Sequence, residues 1–134
     1  MPLHVKLKPY ERMIINGASI RNGDRSTDFI IENQCKFLRE TEIVRESDAD
    51  TDCKKLALIV QIIHLSNHSE ETESLFKNKA FDIVRFMPQL ASEIIEIQGY
   101  ISENETHRAV KAVRKLIQLE HDLLNQVANN KGAA

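Results

Sequence analysis

The chain has 134 residues, 42% of them hydrophobic and 28% charged, which fits one ordinary domain or two small subdomains and excludes a disordered protein. Aromatics are 5% with no Trp, which argues against a base-stacking platform, and a net charge of −2 leaves any anion binding to local patches. Cys35 and Cys53 share no metal or redox spacing, the longest apolar run (Leu56 to Ile63) is too short for a membrane span, and MPLHVKLKP has no signal-peptide core. A cytoplasmic protein is expected.

Residues 3–8 alternate, with Leu3, Val5 and Leu7 on one side and His4, Lys6 and Lys8 on the other. That is the pattern of a half-buried strand, and Pro9 stops it. Glu11 to Gly23 then reads as a hairpin closed on Asn16-Gly17, because a type I′ turn needs positive φ at both central residues. Closing there fixes the register. Ile15 faces Ala18, Ile14 faces Ser19, Met13 faces Ile20 and Arg12 faces Arg21. Met13, Ile15, Ala18 and Ile20 form a core-seeking face, and Arg12, Ile14, Ser19 and Arg21 form the other. Two arginines placed opposite each other destabilise a sheet unless negative charge lies over them.

A second turn signal stands at Asn22-Gly23-Asp24, and Thr27 to Glu32 reads as a further strand. Gln34 to Val44 fits either a short strand pair or a helical turn, with strand preferred. From Glu46 onward the character is helical. Ser47 and Asp48 are N-cap candidates for a helix striped with Leu56, Ile59, Val60 and Ile63, apolar on nearly every side and so expected at the centre of a bundle. Ser66-Asn67-His68-Ser69 breaks it, and Ser69 with Glu70, Glu71 and Glu73 opens the next helix. Pro88 ends or kinks that helix, and Gly99 is the expected stop of the segment beyond. Ser102 to Glu105 has capping-box spacing ahead of a last helix, and Asn129 to Ala134 is expected to fray.

The expected fold is therefore α+β. A small N-terminal antiparallel sheet or hairpin region (1–46) precedes a bundle of three to four helices (47–134), the two forming one compact unit with a shared core.

Lys6, Lys8, Arg12, Arg21 and Arg25 all fall in the first strand and hairpin, against only Glu11 and Asp24. If strand 3–8 pairs with the hairpin, these cations share one polar face, the footprint of a phosphate-binding surface. The plain alternative is a solvated sheet face whose acids neutralise its arginines. A second basic stripe, Arg108, Lys111, Arg114 and Lys115, backs the apolar face of the last helix, where a solvated side is the ordinary meaning. The histidines have no three- or four-ligand spacing and are expected at the surface, so no metal and no other cofactor is expected. There is no serine elbow and no phosphate-cradling glycine loop, and Glu70, Glu71 and Glu73 are explained by a helix start. The expectation is a binding protein, not an enzyme.

The run Leu7 to Ala18 (LKPYERMIINGA) resembles the opening signature of the FlbT family of bacterial flagellar regulators. Two later stretches agree in kind. Asp48 to Leu65 resembles the family's Ala-x-Thr entry into a helix with an internal Gln, here Gln61. His107 to Leu124 resembles its closing helix, with Ala109, Lys111, Arg114, Leu116 and Glu120 in matching places. Two departures stand out: Tyr10 replaces a common glycine, and Asn104-Glu105-Thr106-His107 replaces a glycine-aromatic helix entry. The resemblance implies post-transcriptional control through the 5′ leader of flagellin messenger RNA, by repressing translation or promoting decay. It makes Lys6, Lys8, Arg12, Arg21 and Arg25 the RNA-binding candidates. The alternative it leaves open is an adaptor binding FlaF or flagellin, with a homo-oligomer also open.

Overall fold

The structure, a computed structural model, describes residues 3–66 and 69–132. The chain divides into two compact units between Ile43 and Val44.

The first unit is a small sandwich of two antiparallel sheets. Strand β1 (Leu3–Leu7) pairs with β4 (Thr27–Ile31), whereas β2 (Arg12–Ile15) lies between β3 (Ala18–Arg21) and β5 (Phe37–Arg39). The Asn16-Gly17 turn forms as expected, with φ of 48° and 83°, and every predicted cross-strand pair of the hairpin is observed. Asn16 does more than turn. Its backbone N–H donates to the Lys36 carbonyl and its Oδ1 accepts from the Lys36 N–H, which seats the strand that follows. Phe37–Arg39 is then followed by a single 3₁₀ turn, Glu40–Glu42, so the ambiguous stretch forms one short strand and a helical turn in place of a strand pair.

Side-chain alternation decides what the two sheets enclose. Val5, Leu7 and Met13 are fully or nearly fully buried, and Leu3, Ile15, Phe29, Ile31 and Phe37 pack against them. Of the predicted apolar face, Met13 and Ile15 join this core, while Ala18 and Ile20 on the edge strand β3 stay exposed. Chain reversal between β1 and β2 runs through Lys8-Pro9-Tyr10-Glu11, closed by the Glu11 N–H on the Lys8 carbonyl. Proline second and positive φ third is the signature of a type II turn, and Tyr10 holds φ of 63° where glycine is at ease.

The second unit has four helices: α1 (Asp52–Leu65), α2 (Glu70–Phe86), α3 (Ala91–Ser102) and α4 (Thr106–Gly132). The main packings are α1 on α2, α1 on α4, and α3 on α4. Helix α1 takes the central place its composition implies, burying Cys53, Leu56, Ala57, Val60, Ile63 and His64. Ser69 caps α2 by accepting the Thr72 N–H, and Pro88 begins the 3₁₀ turn Pro88–Leu90 that ends α2 and leads into α3.

Three boundaries differ from the sequence reading. The N-cap of α1 is Thr51, whose Oγ1 accepts the Lys54 N–H, while Ser47 and Asp48 lie in a separate 3₁₀ turn. Helix α3 runs through Gly99, where a Cβ would meet nothing, and stops in a Schellman closure. In that closure Asn104 (φ 60°) donates its N–H to Ile101 and Glu105 donates to Tyr100, so asparagine supplies the left-handed residue expected of glycine. Ser102 is still inside α3, so its capping box does not form. Finally, α4 is helical beyond Asn129 as far as Gly132, and the rest of the stretch expected to fray, Ala133 and Ala134, lies outside the described residues.

Two long-range polar contacts fix the helical unit. Glu120, on α4 and 3% exposed, accepts from Thr51 Oγ1 at 2.5 Å and from the Cys53 N–H at 3.1 Å. A buried carboxylate is costly unless hydrogen-bonded, and the N-terminus of α1 supplies both the bonds and a favourable dipole. Gln61 pairs its amide with both backbone groups of Val44, its Oε1 accepting the N–H at 2.7 Å and its Nε2 donating to the carbonyl at 3.1 Å.

Two stability measurements follow. Glu120→Ala orphans one buried and one part-buried donor and should cost about 2–3 kcal/mol in urea unfolding. Tyr10→Gly should raise the midpoint, by up to about 1 kcal/mol once the extra chain entropy of glycine is subtracted, while Tyr10→Val should lower it.

Candidate nucleic-acid interface

The five predicted cations do not share a face, because β1 pairs with β4 and not with the hairpin. Leu3, Val5 and Leu7 point into the sandwich, so Lys6 points outward from the first sheet. Met13 and Ile15 point inward from the second sheet, so Arg12 and Arg21 point outward on the opposite side. What the cations share is an end.

The register shows this. Arg12 opens β2 opposite Arg21, which closes β3; Arg39 closes β5 opposite Met13; Leu7 closes β1 opposite Thr27, with Lys6 opposite Asp28. Lys8 and Arg25 lie in the connections at this same end, and the Asn16-Gly17 turn is at the other. Lys6, Lys8, Arg12, Arg21, Arg25 and Arg39 are all exposed, and none is in an ion pair among the described residues. Glu40 meets the arginine pair only at the backbone, accepting the Arg12 N–H at 3.4 Å. The outer face near Arg12 and Arg21 is open, but Leu38, on that same face opposite Ile14, is fully buried.

Asn22 holds this end together. Its Nδ2 lies 3.2 Å from the Leu7 carbonyl, 2.8 Å from that of Lys8 and 2.8 Å from that of Arg25. Its Oδ1 accepts from the Gly23 N–H at 2.9 Å and from Thr27 Oγ1 at 2.8 Å. The sequence marked Asn22 only as a turn residue. Its reach to the end of β1 and the turn that follows comes from long-range pairing, which no local pattern reports.

A cleft of about 600 Å³ opens at the same end, lined by Lys6, Leu7, Lys8, Glu11, Ser26, Thr27, Asp28 and Arg39. Arg39 is the residue that sequence reasoning missed, since it joins Lys6 and Lys8 only once β5 is seated beside β2. Glu11 is engaged with the Lys8 N–H at 2.8 Å, and Asp28 with His4.

On α4 the second basic stripe divides. Arg108, Lys111 and Lys115 line a groove of about 340 Å³ with Glu93, Glu96 and Tyr100 of α3, whereas Arg114 is not among its lining residues. Arg108 reaches Glu105 at 3.4 Å. Tyr100 donates to Glu96 at 2.9 Å, and that carboxylate pushes the phenol pKa upward. The groove between α3 and α4 is thus walled by charged groups of both signs.

The histidines depart from a surface-only reading. His64 is buried, with Nδ1 2.7 Å from Thr106 Oγ1, and its ring stacks on His107 at 5.4 Å. His4 and His121 are exposed, and His68 lies outside the described residues. No group of three or more His, Cys, Asp or Glu side chains converges to hold a metal among the described residues. Burial and the adjacent Glu120 carboxylate push the Cys53 thiol far up, which leaves it protonated and unreactive. No described helix is long and apolar enough to cross a membrane.

Fold and site together define a small α+β protein with a basic, unpaired sheet end. A family model described as flagellar protein FlbT matches residues 3–124. Similar proteins include a probable flagellum biosynthesis repressor FlbT from Rhodopseudomonas palustris, 31% identical over 94% of this chain and 100% of its own length. Another, from Bradyrhizobium diazoefficiens, is 33% identical over 94% and 87%. The flagellum biosynthesis repressor protein FlbT of Caulobacter vibrioides is 28% identical over 99% and 96%. No solved structure matches. The chain belongs to the FlbT family, and its relatives support a regulatory role in flagellum synthesis.

The Asn22 arrangement generates a direct test. Asn22→Asp keeps the shape but sets a carboxylate against three carbonyls, and should cost about 2–3 kcal/mol in thermal or urea unfolding. Asn22→Ser should cost less.

Proposed function

We propose that this protein represses flagellum biosynthesis in the cytoplasm by binding the 5′ leader of flagellin messenger RNA through the basic end of its sandwich, performing no chemistry itself. The observation carrying this reading is that Arg12 and Arg21 lie directly opposite each other with no ion pair among the described residues. Such a pair is unfavourable alone and relieved by a phosphate. Lys6, Lys8 and Arg25 extend the same end, so a phosphate backbone crossing it meets cations from three strands and two connections. Cations in this arrangement track the backbone and fix register, while carrying little base information. Bound leader would then repress by blocking ribosomes or by exposing the message to decay.

A protein partner such as FlaF or flagellin is the second reading, favoured by Phe81, Phe86 and Ile95, which are 67%, 72% and 67% exposed on α2 and α3. Under that reading the effect on the message is indirect.

A salt titration of purified protein on the flagellin leader, with a scrambled RNA beside it, separates the two. Direct binding predicts an affinity falling steeply with salt. Arg12→Gln with Arg21→Gln should weaken binding about tenfold at fixed salt and lower the logarithmic salt slope by about 1.4–1.8. Unchanged affinity in that double variant removes the arginine pair from the interface. No shift of the leader, together with co-purification of FlaF or flagellin, decides for the adaptor.

A further inference from the structure

We infer that the cleft lined by Lys6, Lys8 and Arg39 accepts a single unpaired nucleotide of the bound RNA. The inference rests on the RNA-binding reading above and adds the class of RNA feature recognised. Its volume of about 600 Å³ lies within the range of small-molecule sites and exceeds what one phosphate fills. Its chemistry is divided in the way a nucleotide is divided. Lys6 and Lys8, both exposed and without ion pairs among the described residues, suit a phosphate.

Glu11 and Asp28 each have one recorded bond, to the Lys8 N–H and to His4, and a carboxylate has further acceptor capacity. They suit the amino and imino N–H groups on a base edge. The Ser26 hydroxyl, and the Thr27 hydroxyl already used by Asn22, line the same wall.

No aromatic residue lines the cleft, so the planar group available to a base is the Arg39 guanidinium. Unpaired RNA bases stack on guanidinium planes as well as on aromatic rings. Arg39 sits at the end of β5, held opposite Met13, and its backbone N–H donates to Glu42 Oε1 at 3.1 Å. The side chain therefore projects from a fixed backbone. A paired base in an A-form helix has its face stacked and its Watson–Crick edge occupied, whereas a loop or bulge nucleotide leaves both free for such a cleft.

The distinguishing experiment compares two RNAs of equal length at one salt concentration, a perfect duplex and the same duplex carrying one unpaired nucleotide. Both are titrated with the wild type, Arg39→Lys and Arg12→Gln/Arg21→Gln. Arg39→Lys keeps the charge and removes the plane. It should cost about fivefold or more on the bulged RNA and leave the duplex affinity unchanged. The arginine double variant should weaken both RNAs alike. Equal wild-type affinity for the two RNAs, or an Arg39→Lys loss that is absent or the same on both, overturns the cleft assignment while leaving RNA binding intact. Failure of the wild type to bind either RNA or the leader overturns both. Arg39 is exposed, and matched urea midpoints for the variants exclude misfolding as the cause.

Discussion

The basic end of the sandwich depends on one side-chain amide. Three carbonyls from two segments, Leu7-Lys8 and Arg25, converge on Asn22 Nδ2, while its Oδ1 takes a backbone N–H and a hydroxyl. Those carbonyls belong to the end of β1, the turn before β2, and the loop into β4. Without a common donor, each would face its neighbours' partial negative charge and seek water. With it, the segments carrying Lys8 and Arg25 are pinned to the end of the hairpin that places Arg12 opposite Arg21. The cations lie together because the backbone beneath them is tied.

The helical unit solves a similar problem with charge. Helix α1 is apolar almost all round, so packing alone says little about where it begins or how it is rotated. Glu120 supplies that information. By accepting from Thr51 and Cys53, it sets the α1 N-terminus against one point on α4, and it silences the Cys53 thiol as a by-product. Gln61 does the equivalent for the chain entering the unit, reading Val44 as a neighbouring strand would. Both residues stood out in the family resemblance, and both have structural work that accounts for their presence.

Local chemistry made the hairpin legible to the residue. Asn-Gly fixes a turn type, the turn type fixes a register, and the register pairs Arg12 with Arg21. The same holds for Ser69 as a cap and Pro88 as a terminator. What stayed hidden were choices made between distant segments. Nothing near Leu3 says that β1 will pair with β4 in preference to the hairpin, and that choice turned a predicted face into an end. The work of Glu120 stayed hidden, because its partners are an N-cap hydroxyl and a backbone N–H on another helix. Gly99 and Asn104 misled for a related reason: an exposed helix tolerates a glycine, and asparagine can take the left-handed stop. Arg39 entered the site through a strand of three residues, too short for any periodicity to announce.

The hairpin register also has a consequence in time. Closing a two-residue turn costs little chain entropy, so β2 and β3 can find each other within microseconds. The ladders joining β1 to β4 and β2 to β5 span much longer stretches of chain. Arg12 and Arg21 therefore meet early in folding, before Asn22 reaches the Leu7 and Lys8 carbonyls and before Arg39 has a strand to stand on. The hairpin carries its own repulsion through that interval, and the longer-range pairing must overcome it. An anion present while the chain folds would screen that repulsion.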